Sequence, residues 1–174
     1  MASAAHTVRI ERLAHGGEGV GSLPSGKRIF VPLTAPGDLA RVEVVEDKAH
    51  HARGRLSGLV EAGADRVQPR CRHALVCGGC QLQQVRLEAQ LAAKEDTFYQ
   101  SLERLGGVRR KDLADARAIV PSPQQFGYRT RCRLRVEGRE LGFCGWRSRA
   151  VVPLTECPVL VPALERLVLA LAAT

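Results

Sequence analysis

The chain has 174 residues, of which 45% are hydrophobic and 4% aromatic, and its formal net charge is +8 at neutral pH. The hydrophobic content excludes global disorder, and the length suits one domain or two small ones. The charge favours a polyanionic partner, either nucleic acid or an anionic membrane surface. Residues 1–65 hold eight Lys or Arg and eight Asp or Glu, so the positive excess lies in residues 66–174.

No segment of the chain is expected to direct it into or across a membrane. Residues 1–11 lack the apolar stretch of a signal peptide, and the apolar segment 159–174 carries Glu165 and Arg166 and is too short to span a bilayer. We therefore expect a cytoplasmic monomer with no membrane partner. Thiols stay reduced in the cytoplasm, so clustered cysteines there indicate metal binding or catalysis more often than disulfides.

Short strand-like segments separated by glycine- and proline-rich turns fill residues 6–58. Four or five strands at this spacing predict a small all-β barrel. The motifs resemble those of a TRAM domain, an OB-like barrel that binds RNA in tRNA and rRNA modification enzymes: Gly16-Gly17-Glu18-Gly19, Gly26-Lys27, Phe30-Val31 and Pro36-Gly37-Asp38. The resemblance implies an RNA-binding domain over residues 1–62, and we take Lys27 and Arg28 as its candidate RNA-binding residues.

Residues 63–174 are expected to form a second region with both helix and sheet. Apolar residues recur every three or four positions from Gln81 to Leu105, which predicts an amphipathic helix that ends at Gly106-Gly107. A second antiparallel β region and a helix from about Pro162 follow. The predicted fold class is therefore α+β: an OB-like barrel, a cysteine-rich loop, a long helix and a second antiparallel β region.

Arginine alternates with less polar residues between positions 129 and 136. Alternate side chains of a strand point to opposite faces, so a strand here would carry Arg129, Arg131, Arg133 and Arg135 on one face. A solvated sheet face is the alternative, but such a face usually mixes both signs of charge. Because arginine binds phosphate in bidentate geometry, we expect this face to follow an RNA backbone together with Arg147 and Arg149. The aromatic residues Phe126, Tyr128 and Trp146 are candidates either to stack on bases or to form core.

Three of the six cysteines, Cys71, Cys77 and Cys80, lie within ten residues, and the remote Cys157 precedes a proline. Structural zinc sites usually combine two paired cysteine knuckles, of which only one is present here. A close run of three cysteines with a distant fourth is a common ligand set for a [4Fe–4S] cluster. Spacing alone leaves iron–sulfur and zinc both open.

The remaining cysteines and the glycines between the ligands have their own interpretation. Cys132 is expected to be a small buried hydrophobe, and Cys144 has no assigned role. Gly78 and Gly79 are expected to let the backbone approach closely and to direct N–H groups at the sulfur atoms.

A wider pattern around the cysteines resembles the N-terminal half of the bacterial RNA uracil-C5 methyltransferases, of the iron–sulfur type that makes 5-methyluridine in 23S rRNA. The motifs are Cys71-x5-Cys77-Gly78-Gly79-Cys80-Gln81-x-Gln83, Ser122-Pro123-x3-Gly127-Tyr128-Arg129, Leu141-Gly142-Phe143 and Thr155-Glu156-Cys157-Pro158. The resemblance implies that Cys71, Cys77, Cys80 and Cys157 bind a [4Fe–4S] cluster. Thr130 departs from the pattern, because an Asn commonly follows the Tyr-Arg pair.

In that family a cysteine adds to uracil, and S-adenosylmethionine supplies the methyl group within a Rossmann-like domain. This chain has no glycine-rich strand–helix turn of the dinucleotide type. We therefore expect the Rossmann-like domain and any catalytic residue to be absent, S-adenosylmethionine to bind only the full-length protein, and the chain alone to be inactive. The expected partner is RNA, with rRNA placed before tRNA. The alternative is a stand-alone, non-catalytic RNA-binding module with a structural iron–sulfur or zinc site.

Overall fold

The computed structural model describes residues 5–113 and 118–173. The backbone forms two compact units, and each unit draws on two stretches of chain. The first unit comprises Met1–Val67 and Gln84–Pro121, and the second comprises Gln68–Gln83 and Ser122–Thr174. Among the described residues, no helix has both the length and the apolar character that crossing a membrane requires.

Five strands of the first unit close into a barrel, which confirms the predicted small barrel. The strands follow the order β1-β2-β3-β5-β4 around it. Neighbouring strands are antiparallel, except that β3 and β5 run parallel. Their bounds are β1 Ala5–Leu13, β2 Gly19–Ser22, β3 Arg28–Val31, β4 Leu39–Asp47 and β5 His51–Glu61.

Alternating apolar residues of these strands fill the barrel interior. In β1, Val8 and Ile10 are buried while Arg9 and Glu11 are exposed, as the period of a strand requires. Gly54 on β5 leaves room for this core, because a Cβ atom there would lie 2.2 Å from Val42 Cγ1. The buried cluster consists of small and branched aliphatic residues, namely Val8, Ile10, Ile29, Val31, Ala40, Val42 and Ala52.

Asp38, in the turn before β4, is completely buried and forms an ion pair with Arg66. Its carboxylate accepts hydrogen bonds from Arg66 Nη2 at 2.6 Å and Nε at 2.9 Å, from the Ala35 N–H at 2.6 Å and from the Gly63 N–H at 2.9 Å. Burial raises the pKa of Asp38, but these hydrogen bonds outweigh burial and hold its pKa below the ordinary value. The contacts tie the turn before β4 to the chain that leaves β5.

The long helix α1 spans Leu87–Gly106, so it begins later than the predicted Gln81. The preceding residues are buried in an extended segment instead. The Gln84 side chain donates to a buried carbonyl of the barrel at 3.1 Å, and Val85 pairs with a residue that follows β5. The end of the helix is confirmed, since Gly107 adopts the left-handed conformation with φ of 65°.

The second unit contains a three-stranded sheet in the order β6-β7-β8 and a C-terminal helix, which confirms both predictions. The strands are β6 Arg135–Glu137, β7 Glu140–Cys144 and β8 Val151–Pro153, and helix α2 spans Pro162–Ala172. The sheet is antiparallel throughout. The core of this unit is built from Leu154, Cys157, Val159, Leu160 and Val168.

The predicted strand over residues 129–136 is wrong in its extent, because only Arg135 and Val136 of that segment lie in β6. The Arg129 N–H donates to the Val159 carbonyl at 2.8 Å, and the Val161 N–H donates to the Arg129 carbonyl at 3.0 Å. These bonds pair the start of the segment with the chain that precedes α2. Pairing with β7 is therefore confined to the end of the segment.

Candidate metal centre and arginine surface

The four predicted metal ligands line a single pocket of the second unit. Cys77 and Cys157 are buried, whereas Cys71 and Cys80 are half-buried, and all four are free thiols. The pocket thus brings the remote Cys157 together with the three cysteines of the loop. Its other lining residues are five apolar residues, one glycine and four polar or charged residues: Ala74, Phe143, Leu154, Pro158, Val159, Gly79, His73, Gln83, Arg129 and Glu156.

The two glycines of the loop have different roles. The Gly79 N–H donates to Cys77 Sγ at 3.3 Å, as expected. The Gly78 N–H instead donates to the Cys144 carbonyl at 2.9 Å, so its predicted contact with sulfur is wrong. A Cβ atom at Gly78 would lie 2.9 Å from that same carbonyl oxygen, which is why the loop needs glycine where it meets β7.

Three of the four thiols of the pocket, those of Cys71, Cys77 and Cys157, have a raised pKa. Burial raises the pKa of Cys71 and Cys77, and it raises the pKa of Cys157 to about 11. The neighbouring Cys80 adds to each of these increases, since adjacent thiolates repel one another. A metal that binds here must therefore displace protons, which makes its affinity dependent on pH.

A single metal ion and a cluster require different arrangements of these four cysteines. Zinc needs its sulfur ligands at about 2.3 Å from one point. Across residues 5–113 and 118–173, no three or more His, Cys, Asp or Glu side chains form a group that could hold a metal ion as they stand. A [4Fe–4S] cluster is bulkier and is ringed by four thiolates, and this pocket supplies four thiols.

Three of the four predicted arginines form an exposed surface, although they do not lie on one strand. Arg131, Arg133 and Arg135 are exposed, while Cys132 and Leu134 between them pack against the core. Within the part of the chain that the structure describes, these three arginines make no ion pair. We call Arg131, Arg133 and Arg135 the arginine surface.

Arg129 differs from the other arginines of this segment. Its side chain is half-buried and lies 3.5 Å from the Gly79 carbonyl oxygen, at the edge of the cysteine pocket. Its positive charge lowers the pKa of Cys77, against the effects of burial and of Cys80. Arg129 therefore belongs to the cysteine pocket by position.

Arg147 and Arg149 lie in the tight turn between β7 and β8, and both are exposed. Arg147 adopts the left-handed conformation with φ of 48°, and its guanidinium lies 6.0 Å from the ring centroid of the half-buried Trp146. Of the other two aromatic candidates, Phe126 packs against the core and Tyr128 is 49% exposed. Tyr128 is therefore the most exposed of the three aromatic candidates.

Lys27 and Arg28, the candidates on the barrel, both have acidic partners. Lys27 Nζ pairs with Asp47 Oδ1 and donates to the Lys48 carbonyl at 2.9 Å. Arg28 pairs with Glu11. Asp47 lies on β4 and Glu11 on β1, which are 20 and 17 residues away in the sequence, so the sequence could not reveal these partners.

Several polar residues around the pocket escaped the sequence analysis. The Cys71 N–H donates to Gln83 Oε1 at 3.1 Å, and the Cys157 N–H donates to Glu165 Oε1 at 2.7 Å. His73, interpreted from the sequence as a loop residue, lies 2.9 Å from Thr155 Oγ1. The presence of Gln83 and Thr155 within the cysteine motifs was the available signal.

The sequence profile of the TRAM domain matches residues 5–57. The chain is 40% identical over 161 residues to a 23S rRNA (uracil(1939)-C(5))-methyltransferase RlmD from Methylococcus capsulatus, which covers 89% of this chain and 35% of that relative. It is 34% identical over 174 residues to the RlmD protein of Shewanella woodyi, with 95% of this chain and 38% of that relative covered. The chain thus spans little more than a third of the curated relatives it matches.

The crystal structure of Pyrococcus abyssi tRNA (uracil-54, C5)-methyltransferase in complex with S-adenosyl-L-homocysteine is a structural neighbour. It matches with a TM-score of 0.55 and 29% identity, over 92% of this chain and 35% of that one. The match extends well beyond the barrel, because the barrel ends at Glu61. The prediction from the sequence is therefore confirmed: residues 5–57 form a TRAM domain, and over most of its length the chain is a homologue of the RNA uracil-C5 methyltransferases.

Proposed function

We propose that this chain is the RNA-binding, [4Fe–4S]-containing portion of an RNA (uracil-C5) methyltransferase that methylates uridine in rRNA with S-adenosylmethionine. The observation that carries the proposal is the reach of the similarity, since two 23S rRNA methyltransferases match 89% and 95% of the chain. The neighbour that is named for tRNA makes tRNA the second candidate substrate. We place the protein in the cytoplasm as a monomer, where its thiols stay reduced.

The charges of the second unit support RNA as the partner. Residues 68–83 and 122–174 contain ten arginines, four glutamates, no lysine and no aspartate, so they carry most of the net charge. Arginine binds phosphate through a planar, bidentate fork, and its weak hydration favours contact with nucleic acid. The arginine surface would offer three exposed guanidinium groups to an RNA backbone, and Arg147 and Arg149 would add two more from the turn between β7 and β8.

The cysteine pocket supports the cluster. Cys71, Cys77, Cys80 and Cys157 would hold it, the Gly79 N–H would donate to the Cys77 sulfur, and Arg129 would offset negative charge. When bound, the cluster supplies four iron–thiolate bonds that cross-link the loop to the segment before α2. The apolar side chains that line the pocket would limit the access of water to the sulfur atoms.

Iron, sulfide and RNA measurements test the proposal. Chain purified without oxygen should contain iron and sulfide in equal amounts and should bind an rRNA fragment with an affinity that falls as salt rises. Cys157→Ser should abolish iron binding, whereas Cys144→Ser, the matched control outside the ligand set, should retain it. A colourless chain with one bound zinc would exclude the cluster, and salt-independent RNA binding would exclude a phosphate-contacting surface.

A second candidate is a non-catalytic RNA-binding module with a structural iron–sulfur or zinc site, acting with a separate catalytic chain. The cysteine pocket and the exposed arginine surface would serve such a module as well. We expect no methyl transfer when the 174-residue chain is incubated with rRNA and tritiated S-adenosylmethionine. Detection of the protein in its source cells by antibody distinguishes the candidates, because a methyltransferase would run as a much longer polypeptide.

A further inference from the structure

Two tripeptides that contain metal-ligand candidates meet in the second unit: Cys71-Arg72-His73 and Thr155-Glu156-Cys157. The Arg72 N–H donates to Glu156 Oε1 at 2.6 Å, and Arg72 Nε lies 3.4 Å from Glu156 Oε2. One residue further on, His73 Nε2 lies 2.9 Å from Thr155 Oγ1 and accepts from the Thr155 N–H at 3.2 Å.

These contacts follow the register of an antiparallel pair. Arg72 contacts Glu156 and His73 contacts Thr155. The residue number therefore rises by one in the first tripeptide as it falls by one in the second, as in antiparallel strands. Continued one step the other way, the same register sets Cys71 opposite Cys157. Each contact involves at least one side chain, and among the described residues no backbone-to-backbone hydrogen bond joins the pairs. The secondary structure therefore does not show this pairing.

We propose that this side-chain zipper, the contacts of Arg72 with Glu156 and of His73 with Thr155, positions Cys157 against the cysteine loop before metal binds and sets how long the cluster is retained. Seventy-six residues separate Cys157 from Cys80 in the sequence. Closing so long a loop has an entropic cost, which metal binding would otherwise have to meet. The zipper meets that cost through contacts of the protein itself. This inference rests on the proposed cluster.

The contacts differ in strength, and this gives the test a graded outcome. The side chain of Arg72 is mostly exposed, so its ion pair with Glu156 contributes little. The backbone N–H of Arg72 donates to a charged acceptor, which is the stronger contact. Glu156→Ala removes both contacts, Glu156→Gln keeps a neutral acceptor, and Arg72→Ala removes only the ion pair.

The experiment loads the 174-residue chain with iron and sulfide without oxygen, then follows the visible absorbance of the cluster after an iron chelator is added. Removal of residues that orient metal ligands commonly costs about 10- to 100-fold in metal affinity, so Glu156→Ala should lose the cluster about tenfold faster or more. Glu156→Gln should fall between Glu156→Ala and wild type, and Arg72→Ala should stay near wild type. Glu140→Ala, an exposed glutamate of β7, is the matched control and should match wild type.

Hydrogen exchange of the metal-free chain provides a second measurement that does not depend on cluster loading. Glu156→Ala should speed exchange at residues 71–77, while exchange in the barrel core stays unchanged. Thr155→Val, a milder change that keeps the backbone N–H, should give a smaller effect of the same kind. Faster exchange in the barrel core of Glu156→Ala would mean that this variant is misfolded. The exchange of Thr155→Val at residues 71–77 would then be the test of the zipper.

The outcomes separate the inference from the proposed function. Wild-type chain that takes up neither iron nor sulfide would overturn the proposed cluster. Wild-type chain that holds a cluster, with Glu156→Ala losing it at the same rate, would overturn the zipper alone. If Glu156→Ala and Glu140→Ala both speeded cluster loss equally, the zipper would also be overturned. The effect would then come from the loss of a negative charge and not from the contacts of Glu156 with Arg72.

Discussion

The barrel and the second unit use their positive charges in opposite ways. On the barrel, cations pair with carboxylates that are distant in the sequence, as Arg53 does with Glu18 at 2.8 Å and Arg9 with Glu61 at 3.3 Å. In the second unit, the arginine surface makes no ion pair within the described residues. Net charge alone cannot reveal this difference, because it depends on which cations already have a partner.

We expect the second unit to contribute more to RNA affinity than the barrel does. A TRAM domain predicts an RNA-binding barrel, but a phosphate group that approaches Lys27 or Arg28 must compete with Asp47 or Glu11. A phosphate that approaches Arg131 or Arg133 displaces only water and counterions. Several barrel cations already have carboxylate partners, whereas Arg131, Arg133 and Arg135 make no ion pair among the described residues.

The largest effect is expected where a barrel charge is most deeply buried. Asp38→Ala should lower the free energy of unfolding by about 3–5 kcal/mol, because it leaves the Arg66 guanidinium and two backbone N–H groups without their acceptor. Urea unfolding followed by circular dichroism measures the change. Glu61→Ala, which breaks the exposed pair with Arg9, is the control and should cost less than about 1 kcal/mol. Equal costs would contradict the view that buried pairing builds the barrel.

The same carboxylate should give the barrel an acid-sensitive component of stability. The pKa of Asp38 in the folded chain is held below its ordinary value, so its stabilising contribution is complete above the unfolded pKa of about 3.9 and is lost as pH falls through the folded value. Unfolding free energies between about pH 7 and pH 2 should show this loss. Asp38→Asn should flatten that part of the profile, and an unchanged profile would exclude Asp38 as its source.

The arginine surface should dominate the salt dependence of RNA binding. Arg131→Ala with Arg133→Ala should weaken affinity about tenfold, or about 1.4 kcal/mol, and reduce the salt slope by about one unit for each arginine. Fluorescence anisotropy with an rRNA fragment at several salt concentrations measures both quantities. Lys94→Ala with Arg104→Ala, which removes two exposed charges from α1, is the matched control for net charge. Equal salt slopes for the two double variants would show that RNA binding depends on the net charge of the chain and not on the arginine surface.

Features that depend on local sequence were predicted correctly, whereas features that depend on contacts between distant residues were not. The barrel strands and the end of α1 depend on local alternation and on glycine at a turn, so they were predicted correctly. The start of α1 was wrong because burial of Gln84 and Val85 overrides a helical pattern of spacing. The extent of the arginine strand was wrong because Arg129 pairs with the segment before α2.

The candidate site shows the same division. The sequence identified the four cysteines by their motif, and the structure places them at one pocket. The zipper between Arg72 and Glu156 could not be predicted, since it joins residues that are far apart in the chain. The acidic partners of Lys27 and Arg28 were missed for the same reason.

The smallest effect, and the sharpest test of the comparison, concerns Lys27. Substituting Lys27 alone also leaves Asp47 unpaired, so weaker RNA binding would follow from repulsion whether or not Lys27 contacts phosphate. Lys27→Ala with Asp47→Ala removes the pair without changing net charge, and we expect RNA affinity within about twofold of wild type and an unchanged salt slope. Because the pair is exposed, its loss should cost under about 1 kcal/mol of stability, so the barrel stays folded during the measurement. A slope reduced by about one unit would place Lys27 on a phosphate and would remove the contrast between the two units.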